Sequence, residues 1–286
     1  AVSGAIFNCL LLILIWKFSR KEMGLYRNLL RTIAIVDIIM SIAHGITSPR
    51  AFVIDFTFAV TPRSLLVSPS RELMIGYSSL FTLPFYVMNI HFLYRYWNIK
   101  SPGRLFLFAN KPFIFMLVAI GAAAVALWAG LMTMMGSGHS MDEFQLRFDA
   151  RYKATNDGAW VTMDYKKVDG QWNHRIIVLM CVFDGLAIVQ AFLSVVLSSL
   201  TFYHIHIAST VSASSKLRQR KLLVALCMQT FVPVICVYIP YLGLITSPIL
   251  RLAMGSFPDL CPVFIASFPL WDALVIMLVI KDFRQG

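Results

Sequence analysis

The chain has 286 residues, 58% of them hydrophobic and 14% charged, with a formal net charge of +11 and a mean hydropathy of +0.73. Soluble domains carry about 45–50% apolar and about 25% charged residues, so a water-soluble fold is excluded for want of polar surface, and disorder for want of charge. Fifteen Gly and five Cys exclude collagen-like and disulfide-scaffold classes.

Seven apolar runs approach or exceed the roughly 20 residues that a helix needs to cross a bilayer. The first, Ala1 to Phe18, opens without an initiator Met and is read as lacking a short N-terminal piece. No basic segment precedes it, which argues against a cleaved signal peptide. The second, Asn28 to Thr47, carries Asp37 near its middle. The third, Leu73 to Trp97, presents Tyr77, Phe81, Phe85 and Asn89 at four-residue intervals, so they form one stripe down a helix face. The fourth, Phe113 to Met135, is apolar throughout. A polar loop, Gly136 to Asn173, follows, long enough to form a lid over a bundle. The fifth run, His174 to Tyr203, contains Asp184, about 15 Å from its start at 1.5 Å per residue. The sixth, Leu222 to Thr246, holds Pro233 and Pro240 between basic and aromatic ends. The seventh, Cys261 to Ile280, carries Phe268, Pro269, Trp271 and Asp272. The runs are too long for barrel strands and show no internal repeat. The expected fold is an all-α integral membrane bundle of seven transmembrane helices, forming one domain over residues 1–286.

Seven spans divide the loops into two sets. The set after spans one, three, five and seven holds fifteen basic residues against two acids, Glu22 and Asp282. It includes Lys17, Arg20 and Lys21, then Arg95 to Lys111, then Lys216, Arg218, Arg220 and Lys221, then Lys281 and Arg284. The other set holds ten basic residues against nine acids. Lys and Arg accumulate on the cytoplasmic side of short loops, so the N-terminus is expected outside and the C-terminus inside. The charge is spread over four short loops, so it is topological and not a nucleic-acid footprint.

Inside the spans, ionisable groups are costly and face the bundle interior. Asp37 and Asp272 fall at similar depth and suit a polar network or a bound cation. The stripe of Tyr77, Phe81, Phe85 and Asn89, with Tyr238, Tyr241, Phe268 and Trp271 at matching depth, suits an outward-facing pocket for small, mostly apolar molecules. Asp184 is counted with them as a candidate of unassigned role. Pro233 and Pro240 each remove a backbone donor and kink a helix. No Cys-x-x-Cys pair or His-Glu-x-x-His helix is present, and His204 and His206 are two apart, so no metal or cofactor is expected. No nucleophile–base pairing suggests an enzyme.

The chain resembles nematode seven-transmembrane chemoreceptors of the Str class, in the wider serpentine receptor group. The resemblance rests on Met23-Gly24-Leu25-Tyr26 after span one and His91-Phe92-Leu93-Tyr94-Arg95-Tyr96 closing span three. Gln229-Thr230-Phe231-Val232-Pro233 with Tyr238-Ile239-Pro240 marks span six. Phe268-Pro269-Leu270-Trp271-Asp272 and Lys281-Asp282-Phe283-Arg284 mark span seven and the tail. Ala273 stands where the family usually has a second Pro, and Phe268 and Phe283 replace Tyr. The resemblance implies a G-protein-coupled receptor of chemosensory neurons, in the ciliary plasma membrane, that binds small odorant-like ligands. Its partners would be that ligand, membrane lipid and a heterotrimeric G protein. Tyr94-Arg95-Tyr96 occupies the place of the Asp/Glu-Arg-Tyr motif of other receptors, without the acid that could form a locking ion pair. No Cys occurs near Leu73 or in the Gly136–Asn173 loop, so the disulfide that joins these places in rhodopsin-like receptors cannot form.

Coupling is expected at Tyr94, Arg95, Tyr96, Lys216, Arg218, Arg220 and Lys221, with Pro233, Pro240, Pro269 and Asp272 as the conformational switch. A ligand-gated seven-span channel is the first alternative, disfavoured because insect odorant channels of this kind have the opposite topology. A small transporter is the second, weakened by the missing repeat.

Overall fold

A computed structural model describes residues 1–18, 24–63, 66–135, 148, 160–167, 169–207, 213–252 and 254–279. The tail at Lys281–Gly286 and most of the Gly136–Asn173 loop lie outside the described residues. Span one is α1 (Val2–Phe18) and span two is α2 (Tyr26–Thr47). Span three is split into α3 (Arg71–Ser79) and α4 (Thr82–Lys100), and span four is α5 (Lys111–Met135). Span five is α6 (His174–Ile207). Span six consists of α7 (Ala213–Pro233), a π-helical turn (Val234–Tyr238) and α8 (Ile239–Leu250). Span seven is α9 (Phe257–Val279). Six of these spans are 22 to 34 residues long with mean hydropathies of 1.3 to 2.4, and the apolar part of α1 is shorter. Their outward faces carry bare apolar side chains, with Phe115 at 76% and Phe192 at 67% exposure, as lipid contact requires. This is a multi-pass membrane bundle.

Each break in the helices has a local cause. Pro84 has no N–H for the carbonyl of Leu80, which instead accepts from Leu83 at 3.0 Å, and the chain tightens where α3 meets α4. Ser70 caps α3 by accepting from the Leu73 amide at 3.1 Å, with Glu72 in the first turn. In span six the π turn sits between Pro233 and Pro240, widening the helix where two backbone donors are missing. Pro248 removes a third, and Ser247 donates its hydroxyl to the Leu244 carbonyl at 2.9 Å in compensation.

The helices pack around α4, which touches α2, α5, α6 and α7, while α1 lies between α2 and α9. Two glycines permit close approaches. A Cβ on Gly121 would sit 2.9 Å from the Tyr86 ring, whose hydroxyl donates to the Leu117 carbonyl at 2.6 Å. A Cβ on Gly4 would sit 2.7 Å from Ser41 Oγ.

One end of the bundle carries a three-stranded sheet that the apolar-run reading of the sequence does not anticipate. β1 (Pro49–Ile54) and β2 (Thr57–Pro62) form a hairpin through Asp55 and Phe56, with Asp55 at φ 51°. β3 (Val161–Asp164), from the long loop, pairs antiparallel with β2. The Thr57 hydroxyl donates to the Asp164 carboxylate at 2.7 Å and pins the register. Trp160 is fully buried against Phe52 and Phe148 in a small second core. Phe56, at the hairpin tip, receives Lys166 at 4.2 Å and Arg251 at 4.9 Å from its ring centroid. Tyr165 then drops into the bundle, and its hydroxyl donates to the Ile245 carbonyl on α8 at 2.9 Å. Burial holds this phenol above its ordinary pKa range. The described part of the loop thus adds a strand to a hairpin from the connection between spans two and three, and Tyr165 ties this sheet, the lid, to span six. All five Cys are unpaired, so this attachment does not use a disulfide.

Candidate functional site

Beneath the lid, α4, α5, α6 and span six enclose a cavity of about 20 Å³, room for one water. Phe81, from the α3–α4 junction, and Tyr238 and Tyr241, from span six, line it as the stripe reading expects. Trp128 of α5 and Phe183 and Ala187 of α6 complete the wall, and the sequence reading does not name them. The rings interlock: Trp128 and Phe183 at 4.2 Å between centroids, Phe183 and Tyr241 at 6.2 Å, Phe81 and Tyr241 at 6.4 Å. Phe58 of β2 adds an edge against Tyr241 at 5.9 Å, so the lid forms part of the roof. The hydroxyls of Tyr238 and Tyr241 are buried with no hydrogen-bond partner. Two unsatisfied phenols beside an apolar void are what a ligand with one polar group would complete.

The other candidates fall around this cavity or away from it. Tyr77 is buried against Phe81 at 5.0 Å, and its hydroxyl is hydrogen-bonded to His44 Nδ1 at 2.6 Å. His44 also lines a wider, open groove of about 750 Å³ between α2, β1 and α9. The His44–Tyr77 pair thus stands between that groove and the aromatic cavity. Phe85 packs on Tyr238 at 4.0 Å, one layer deeper. Asn89 is a fastening between spans three and five: its amide donates to the Gln190 carbonyl at 3.2 Å, and Ser194 donates to its oxygen at 2.9 Å. Asp184 is half-buried on α6, next to Phe183, with Oδ1 unpartnered. Trp271 is not in the pocket. Residue spacing on α9 turns it outward, 51% exposed, whereas Phe268, three residues earlier, faces the interior at 2%.

Phe268 belongs to a second, smaller void of about 10 Å³ at mid-bundle, walled by Asp37, Asp272, Gln229 and Pro233. Asp37 and Asp272 share this void, each with one buried carboxyl oxygen that lacks a partner, and Gln229 donates to Asp272 at 3.2 Å. Asn8, wholly buried on α1, donates to the Pro269 carbonyl at 2.7 Å and to Gly4 at 3.0 Å. The sequence reading passes over Asn8, although an amide in an apolar span is itself a signal. Spans one, two, six and seven therefore meet through polar groups at Pro233 and Pro269. Among the described residues no group of three or more His, Cys, Asp or Glu is arranged to hold a metal ion.

At the opposite end, Arg95 is 4% exposed and wedged between spans two and six. Its guanidinium carbon lies 3.7 Å above the Tyr26 ring, and Nη1 donates to the Gln219 side chain at 3.3 Å. Its Nε and Nη2 have no partner. Tyr26 stacks in turn on Tyr94 at 5.9 Å. The missing acid of the Tyr94-Arg95-Tyr96 motif is thus replaced by a π face and an amide. Tyr96 points the other way, to His204 at 5.8 Å. Arg220 meets His206 at 3.2 Å and lies 5.6 Å from the Phe202 ring. Lys216 is half-buried and Lys221 exposed, while the side chain of Arg218 lies outside the described residues.

The family described as serpentine type 7TM GPCR chemoreceptor Str matches residues 1–286. The chain is 23% identical over 289 aligned positions to a Caenorhabditis briggsae protein named serpentine receptor class r-10, covering 97% of this chain and 84% of that one. It is 22% identical to the Caenorhabditis elegans protein of the same name, covering 94% and 82%. With the whole chain matched, seven spans in order and a lidded aromatic cavity, the chain belongs to the Str family of serpentine seven-transmembrane chemoreceptors.

Proposed function

We propose that the chain is a chemosensory receptor that takes a small, mostly apolar ligand into the cavity under the lid and activates a heterotrimeric G protein at the Arg95 end. The lid end then faces outside and the basic end the cytoplasm, in keeping with the fifteen-to-two excess of basic residues over acids. The membrane would be the plasma membrane of a sensory cell, its ciliary part by family resemblance.

One observation carries this reading. Span six holds Tyr238 and Tyr241 in the cavity wall and Gln219 against Arg95, with the π turn and Pro233 between them. A ligand that displaces the two tyrosines acts on the same helix that restrains Arg95. The cavity has room for only one water, so a ligand needs these side chains to move. Binding is then favoured in a conformation with span six displaced, which is the condition for a ligand to shift an equilibrium. Arg95, once released, offers its two unpartnered donors to a C-terminal carboxylate or to helix carbonyls of an inserted partner.

The test is recording from cells expressing the full-length chain, with and without G-protein blockade, during a screen of volatile and water-soluble compounds. A response that G-protein blockade abolishes supports the receptor reading. A ligand-gated current that survives blockade contradicts it.

A further inference from the structure

Asp184 is not used by the coupling scheme, and it flanks the cavity on α6 without being one of its wall residues. It follows Phe183 directly and precedes Ala187 by three residues, and both of those line the wall. It lies within electrostatic reach of Tyr165 of the lid and Tyr241 of span six. Its Oδ1 is buried without a hydrogen-bond partner, as are the hydroxyls of Tyr238 and Tyr241. Among the described residues no base forms an ion pair with Asp184, and four cations of this end are engaged elsewhere. Arg71 donates to the Thr133 carbonyl at 2.8 Å, Arg175 to the Met134 carbonyl at 3.2 Å, and Lys166 and Arg251 lie on Phe56.

Resting on the reading of this cavity as the ligand site, we infer that the ligand is a small organic amine, bound as its ammonium ion against Asp184. The chemistry is complementary on three counts. A carboxylate at this depth without a cation is costly, and a charged ligand head supplies the cation. A primary ammonium has three N–H donors, enough for the carboxylate and for a phenol oxygen of the wall that lacks a partner. The rings of Tyr241, Phe183 and Trp128 offer π faces to a cation and apolar surface to its carbon body. An alcohol or ketone of the same shape satisfies a phenol but leaves the carboxylate unpaired. The small cavity limits the body to a short alkyl or single-ring group, seated when Tyr238 and Tyr241 swing aside.

The experiment compares matched pairs on the full-length receptor: 3-methylbutylamine with 3-methylbutanol, and 2-phenylethylamine with 2-phenylethanol. Potency is read as G-protein activation, and binding as the thermal midpoint of receptor in lipid nanodiscs. At least one amine should act at a tenfold or lower concentration than its alcohol. Asp184→Asn should collapse that preference to within threefold, and Asp184→Glu should retain it, at matched surface expression. Equal or higher potency of the alcohols on the unmodified receptor overturns the inference without any variant, as does failure of both amines to act or bind. Failure of the cavity reading is distinct: Tyr241→Ala would then leave the potency of every active compound unchanged. Alcohols that act and lose potency in Tyr241→Ala, with no amine preference, overturn the amine assignment alone.

Discussion

Replacing Tyr26 by Leu removes the π face beneath Arg95 while keeping an apolar side chain at the start of α2. In the structure the guanidinium sits 3.7 Å from the ring centroid and the arginine is 4% exposed, so the contact is desolvated. Cation–π contacts of that kind contribute about 2 kcal/mol. If only the resting conformation makes the contact, its loss shifts the equilibrium about 30-fold toward the open state, at 1.4 kcal/mol per factor of ten. A receptor resting at roughly 0.1% open would rise to roughly 3%. The Gln219 bond, at 3.3 Å, is long for an N–H···O contact and contributes less, about 1 kcal/mol. Ligand-free G-protein activation, normalised to surface expression, should therefore rise in the order Gln219→Ala, Tyr26→Leu, then the double variant. Tyr26→Phe keeps the ring and should remain at the resting level. Unchanged basal activity in Tyr26→Leu at normal expression would refute the restraint. A rise in Tyr26→Phe equal to that in Tyr26→Leu would place the effect on the hydroxyl and not on the ring.

Neutralising Lys216, Arg218, Arg220 and Lys221 to Gln should weaken G-protein activation while sparing agonist binding; parallel loss of both in a binding assay would mean that these residues support the fold. Tyr165→Phe removes the donor to the Ile245 carbonyl, and should loosen the lid by about 1–3 kcal/mol, a roughly five- to 150-fold faster hydrogen exchange across β3 at unchanged expression. Asn8→Ala leaves the Pro269 carbonyl without its 2.7 Å donor and should lower unfolding stability in detergent by a similar amount. Epitope tags in the Gly136–Asn173 loop and after Gly286 should stain on intact cells for the loop alone; staining of the tail alone would invert the orientation.

Much of the architecture is legible in the sequence because lipid imposes a coarse rule. Every span must be apolar for about 20 residues, and the runs for spans one to five and seven end within four residues of α1, α2, α3–α4, α5, α6 and α9, whereas α7 begins at Ala213, nine residues before Leu222, because the helix continues through the basic residues ahead of the apolar run. The seventh begins earlier, at Phe257, because Pro262 is accommodated inside α9 and does not start it. The sheet is harder to see. Pro49–Pro62 is short, carries no Gly at its turn, and depends on a partner strand about 100 residues away; its pairing is tertiary. The stripe on span three puts Phe81 and Phe85 on one helix face, since i, i+4 spacing fixes it, and in the structure they pack against Tyr241 and Tyr238. Depth alone does not fix a face, and Trp271 illustrates this: it points outward at 51% exposure, while Phe268 and Asp272 beside it on α9 face the interior. Trp128 and Phe183 lie in spans so uniformly apolar that no pattern separates the wall of the cavity from the lipid surface. Tyr26 was visible as part of a motif, but its role as a seat for Arg95 depends on a contact between the beginning of one span and the end of another.

The central claim is that one helix, span six, links the cavity to Arg95. The most direct test is the distance between spin labels at Lys100 on α4 and Leu217 on α7, both exposed at the basic end. It would be measured by pulsed electron resonance in nanodiscs, in a background with the five Cys replaced. On addition of a compound that activates the receptor, the account predicts a longer distance, with the same change in ligand-free Tyr26→Leu at smaller population. An unchanged distance in a receptor that still activates its G protein would contradict it.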